Sequence, residues 1–271
     1  MITSPMQKLC FTFASLTLLA AACSSQAVEI RVTVTNHSMS DSVALSPIIM
    51  AAHNGSVDLF SAGMAASAGI EDVSEMGGAA EMLRNEITAA QASAVTEVGI
   101  ATSGGFGPGV LIPGAEASYV LSLDPTDNRY FSYAAMVVPS NDSFIGNDDP
   151  MAVELFDADG NFVASSFELT GLDIWDAGTE VNSLTGAAYI MGQDAALGSD
   201  ENGLVTQVSN LADQFGLYLG GTTPEGSTFA SLPPADAGFV TFSFEAVPEP
   251  STAVLSLMAA GLGLVVWRRR R

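Results

Sequence analysis

The chain has 271 residues, 30 of them acidic and eight basic, for a formal charge of −22, with 48% hydrophobic residues and two cysteines. So negative a surface repels nucleic acid and anionic lipid and attracts divalent cations. The length suits a single domain with flanking signals, and no internal repeat divides it.

The first 27 residues read as a secretory signal rather than as part of the fold. Lys8 gives the positive amino region, residues 9–22 are apolar, and Ser25, Gln26 and Ala27 form a small-x-small cleavage site. A competing reading makes Cys23 a lipidation site, but Ala20 stands where a large apolar residue is wanted. Cys10 and Cys23 both fall in this segment, so the mature chain has no disulfide to rely on. Residues 28–246 then form one domain, with 29 acidic residues against Arg31, Arg84 and Arg129, a charge of −26. The same acidity also serves plain solubility in salty water.

The domain opens on a strict alternation that places Val28, Ile30, Val32 and Val34 on one face of a half-buried strand. Residues 45–52 read as a second, more buried strand. His37 and His53 close these two strands. Without a serine or cysteine partner at a recognisable elbow they read as strand-end residues, not as a catalytic pair.

From residue 58 to 94 the period becomes helical. Residues 79–91 predict a good helix with Met82, Leu83, Ile87 and Ala90 along one side, and weaker helices before it are interrupted by glycines at 63, 69, 77 and 78. Met64, Met76 and Met82 are expected as core filling. The stretch 102–109 (TSGGFGPG) lacks the lysine and following helix of a phosphate loop and reads as a connection. Residues 117–123 alternate as a strand.

A strand-type run at 133–138 ends at Pro139 and enters a loop holding Asn141, Asp142, Asn147, Asp148 and Asp149, all hard oxygen donors. Residues 151–156 and 162–167 flank a hairpin tip, Asp157 to Asn161. That tip differs from a calcium-binding EF-hand loop, having glycine at its fourth place instead of its sixth. A second acidic turn holds Asp176, Glu180 and Asn182. Carboxylates crowded at one end of a sheet repel each other unless a cation neutralises them, and Ca²⁺ accepts six to eight flexible oxygen ligands. Residues 182–238 read as loop with short strands, and residues 239–245 as the closing strand.

The segments MVVPSNDSFIG (136–146) and DAGTEVN (176–182) resemble the spondin domain, the module at the amino side of F-spondin that recurs singly in bacterial secreted proteins. The resemblance extends over residues 28–245. It implies an all-β fold, a C2-like antiparallel β-sandwich carrying the helical stretch as an insert, with a Ca²⁺ site. Carried over by position, the implied metal ligands are Asp142, Asp176 and Glu180, the last a glutamate where animal members have aspartate. Animal members are disulfide-bonded, and this chain departs from them there.

At the carboxyl end Pro248, Glu249 and Pro250 precede an apolar run to Trp267 and four terminal arginines. Residues 251–267 as a helix would measure about 25 Å, the short end of a bilayer span, with the arginines held on the cytoplasmic side. Residues 247–271 resemble the PEP-CTERM sorting signal. That implies an exosortase-type processing enzyme as partner, transient contact with the inner membrane, and release to the cell surface or beyond. A permanent single-span anchor uses the same physics without the processing enzyme.

Two classes of function follow. One is a non-catalytic secreted binding module, its loop end stabilised by calcium, associated with extracellular matrix or polysaccharide. The other is an extracellular polysaccharide hydrolase using Asp142 and Asp176 as an acid/base pair. A catalytic pair needs one carboxyl with a raised pKa under apolar cover, and these polar, glycine-rich loops offer only Trp175 for that. The binding module is therefore favoured.

Overall fold

The structure, a computed structural model, describes residues 27–78, 81–107 and 109–248. The secretory signal, apart from Ala27, and the apolar tail after Pro248 lie outside the described residues. In chain order the strands are β1 (Val28–Asn36), β2 (Ala44–Leu45), β3 (Ile48–His53), β4 (Val95–Gly99), β5 (Glu116–Leu123), β6 (Tyr130–Val138), β7 (Ser143–Gly146), β8 (Phe167–Leu169), β9 (Ile174–Asp176), β10 (Thr206–Gln207) and β11 (Val240–Ala246). Helices α1 (Ala68–Met76) and α2 (Glu81–Ala90) lie between β3 and β4, and α3 (Leu211–Phe215) precedes β11.

Two antiparallel sheets pack face to face, one ordered β5-β1-β11-β8 and the other β10-β9-β7-β6-β3-β4, with β2 paired to the end of β6. This is the all-β sandwich expected from the sequence. Ile30, Val32 and Val34 of β1 point into the core as the alternation requires. Against them the large sheet sets Phe131 and Tyr133, and the Tyr133 ring lies 4.4 Å from that of Phe242 on β11.

Strands β3 and β6 are buried on both faces, which is why they read as continuous apolar runs instead of alternating. Their outer face, Ile49, Ala51 and Ala134, is covered by Ile70 and Val73 of α1 and Leu83 and Ile87 of α2. Ser67 caps α1 by accepting from the Ile70 amide, and Gly77 ends it in the left-handed region at φ 55°. Gly69 does not interrupt that helix as expected. It lets the helices touch: a Cβ there would sit 2.6 Å from the Leu83 Cα.

Four further expectations are corrected. The strand at 45–52 is broken at Pro47, which has no N–H for the ladder. The strands around the hairpin tip reduce to the single bridge Phe156 to Phe162, because the Asp157 carboxylate gathers the Asp159 and Asn161 amides into a local turn. The 182–238 stretch contains α3, capped by Asn210. Met64, Met76 and Met82 are exposed, not core filling.

The register fixes which end carries what. β1 and β11 pair from Asn36 with Val240 to Ile30 with Ala246, and the Val247 amide donates to Glu29. Phe244 packs on Phe131 near the start of β6, whereas Asn36 lies beside Val43, next to β2 and the end of β6. Entry and exit of the domain are thus side by side, and the loop after Val138 lies at the opposite end, about 27 Å away along β6.

Candidate functional site

The stretch expected as one acidic loop is two. β7 separates Asn141 and Asp142 from Asn147, Asp148 and Asp149. The second group works locally: Asn147 Oδ1 accepts from the Tyr133 amide, Asp148 from Ala62, and Asp149 from Met151. Asn141 and Asp142 stay at the far end of the sandwich, where β7 pairs with β9 and sets Ser143 opposite Asp176. That pairing brings the two predicted aspartates together although they are far apart in sequence.

Asp142 has no exposed surface. Its Oδ2 accepts from the amides of Thr179 and Glu180, at 2.8 and 3.0 Å, and from the Thr179 hydroxyl. Its Oδ1 is buried with no hydrogen-bond partner. Burial, and then the neighbouring charge of Asp176, push its pKa up to about 7, against the pull of the Glu180 and Thr179 donors. Asp176 is better served: Oδ1 accepts from the Gly178 amide, and Oδ2 from Gln214 Nε2 at 2.8 Å and Asn182 Nδ2 at 3.4 Å.

Glu180 joins this end by its backbone more than by its carboxylate. The carboxylate accepts from Asn141 Nδ2 at 3.3 Å and lies against Gly198, where a Cβ would meet it at 1.8 Å. Burial raises its pKa, as do the charges of Asp200 and Glu71, while the Asn141 bond lowers it. Among the described residues no three His, Cys, Asp or Glu side chains converge closely enough to form a ready metal cluster.

Three further residues, of which the sequence singled out only Asn141, complete the site. Asn141, expected only as one oxygen donor among several, is its central polar side chain, with Oδ1 accepting from the Ser183 amide and from the Tyr218 hydroxyl. Gln214 bridges Ser143 and Asp176. Gln214 and Tyr218 stand four apart at and just beyond α3, a helical spacing that was the one available signal; their partners lie some seventy residues earlier.

The hydrolase reading meets a different obstacle from the one the sequence suggested. Asp142 does have the raised pKa a catalytic acid needs, contrary to expectation. It is sealed, so a polymer cannot touch its carboxyl. The arrangement suits hard oxygen coordination better: a buried carboxylate oxygen without a partner lies next to a second carboxylate of like charge.

A search of curated proteins finds no match to the chain. Residues 246–271 match the PEP-CTERM protein-sorting motif, which marks the protein for export, exosortase-type processing and a cell-surface or extracellular location. Residues 31–196 match the Spondin_N family, a span that takes in Asp142, Asp176 and Glu180 and leaves Gln214, Tyr218 and the closing strand β11 beyond its end. That match covers most of the chain, and the chain belongs to the Spondin_N family.

Proposed function

We propose that this exported protein is a non-catalytic binding module of the extracellular matrix or exopolysaccharide, with a loop end stabilised by Ca²⁺. The observation that carries the reading is Asp142 Oδ1, buried without a partner beside Asp176. A protein seldom leaves a carboxylate oxygen buried and unpaired, since desolvation without compensation costs several kcal/mol. Asp142 and Asp176 would hold the ion, with Glu180 as third ligand once its carboxylate leaves Asn141. The ion would supply charge neutralisation and a rigid loop end.

The sorting signal leaves from the opposite end, next to Glu29. A protein held by its tail therefore turns the Asp142 end outward, toward matrix. The proposed domain, residues 28–246, would be what remains after both signals are removed.

Melting after chelation and calcium return tests the metal. Binding to the native state alone adds about 2.7 kcal/mol at a hundredfold excess over Kd. An unchanged melting temperature would remove the calcium part of the proposal.

A further inference from the structure

An apolar cavity of about 470 Å³ opens at the same end of the sandwich, beside the last residues of β6. Met136, Val138, Ile100, Val110, Ala188 and Tyr189 are among its lining residues. The volume falls within the range of roughly 300–1,000 Å³ typical of small-molecule sites.

Its chemistry is unusual for this protein. Among the described residues none in the lining carries a charge, in a domain with 29 acidic side chains. The Ser46 hydroxyl in the wall is already engaged, accepting from the Met136 amide and donating to the Pro47 carbonyl. Tyr189 is held differently. Its backbone lies at φ 67°, in the left-handed region that bulky residues seldom adopt. Its hydroxyl is buried without a well-formed hydrogen bond, and the charge of nearby Glu225 adds to burial in raising its pKa. Strain of this kind persists where the surroundings impose it, and it clusters at ligand sites. The Tyr189 ring is met edge-on by Phe106, from the glycine-rich 102–109 connection to which nothing else assigns a role.

We propose that this cavity binds an uncharged, largely apolar small molecule. An anion would enter against the field of the whole domain, and among the described residues the lining holds no carboxylate, the nearby Glu225 being directed at the Tyr189 hydroxyl. Val247, five residues before the chain's own apolar run at 252–267, lies at the opposite end of the sandwich, bonded to Glu29. The proposal is independent of the calcium reading, since Asp142, Asp176 and Glu180 do not line the cavity.

The test is a fluorescence titration of the full chain with N-phenyl-1-naphthylamine, an uncharged apolar probe that brightens out of water. Gly78 lines the cavity, lies outside the left-handed region, and has open space where a Cβ would stand, so Gly78→Phe adds bulk without backbone strain. Ile100 is 44% exposed, so Ile100→Asp puts a charge at the mouth without burying it in the core. Val163→Asp changes an exposed apolar residue outside the lining and serves as control.

The expected result is saturable emission from the wild type. Gly78→Phe or Ile100→Asp should weaken it by about tenfold or more at unchanged melting temperature, and Val163→Asp should not. No saturable emission from the wild type, or equal binding by the wild type and both cavity variants, would overturn the proposal. The second outcome would place the probe outside the cavity.

Discussion

The Tyr218 hydroxyl donates to Asn141 Oδ1 at 2.6 Å, across 77 residues of sequence, and so ties the segment after α3 to the residue beside Asp142. Tyr218 is fully buried, and its pKa is raised by burial and by the charges of Asp142 and Asp176, so it stays a neutral donor across the working range. Tyr218→Phe leaves Asn141 Oδ1 with its Ser183 donor and should cost about 1 kcal/mol in urea unfolding. Asn141→Ala strands the Ser183 amide, takes the Nδ2 donor from the Glu180 carboxylate, and leaves the Tyr218 hydroxyl only its 3.2 Å bond to Asn182 Oδ1. It should cost about 3 kcal/mol, and an equal cost for the two variants would mean Asn141 does not organise the site.

His53 gives a second prediction, in acid. The Gly55 amide donates to its Nδ1, so its Nε2 carries the proton and donates to Ser132 Oγ at 2.9 Å. Burial lowers its pKa to about 4 from 6.5. The folded form therefore resists a proton that the unfolded chain accepts. The contribution is fully present above pH 6.5 and is lost as the pH falls toward 4, about 3 kcal/mol in all. His53→Gln should flatten that part of a stability-against-pH curve, and a curve of unchanged slope would contradict the assignment.

Asp142 works in the opposite sense in chelated protein. Its folded pKa is raised from 3.8 to about 7, so its contribution is present below pH 3.8 and is lost as the pH rises through 7. Chelated wild type should lose stability over that window, and Asp142→Asn should remove the loss. Chemical denaturation at pH 5 and pH 8 measures it. Stability that rises for Asp142 between those values would mean that the carboxylate is paired in a way the structure does not contain.

Much of this was legible in the sequence because local rules produced it. The alternation of Val28, Ile30, Val32 and Val34 needs only a half-buried strand, and the structure places it so. Asp142 and Asp176 each sit at the end of a strand in the two family motifs, and pairing of β7 with β9 brings them together. What was hidden depends on contacts between distant segments. Nothing near Gln214 or Tyr218 announces a partner about seventy residues back. The short strand β7, only Ser143–Gly146, is held by neighbours on both sides and has too few residues to show a period, so the acidic stretch around it read as one loop. The turn at Asp157 overrode flanking residues of good strand propensity, since one carboxylate could satisfy several amides at once.

Processing at the sorting motif predicts a defined product. Mass spectrometry of protein released into native culture medium should find peptides of the sandwich and none from Thr252 onward. Intact peptide containing Trp267 in the released pool would favour a retained anchor that is shed by other means.

The calcium ligands can be separated one by one. Asp142→Asn and Asp176→Asn keep side-chain shape while removing charge, so each should abolish most of the calcium-dependent stabilisation of about 2.7 kcal/mol at a hundredfold excess over Kd. Glu180 starts from a different position, bonded to Asn141 and pressed against Gly198. Glu180→Gln preserves the contact with Gly198 and should weaken the calcium response by less than either aspartate change, because the proposed ligand must first leave Asn141. Asp157→Asn and Asp159→Asn at the hairpin tip should leave the response intact, since the Asp157 carboxylate is already taken up by the amides of Asp159 and Asn161. Scanning calorimetry of all five variants, chelated and then returned to calcium, gives the comparison. Loss of the response in the hairpin variants equal to that in Asp142→Asn would move the ion away from the Asp142 loop. A response untouched by Glu180→Gln would leave Asp142 and Asp176 as the only side-chain ligands.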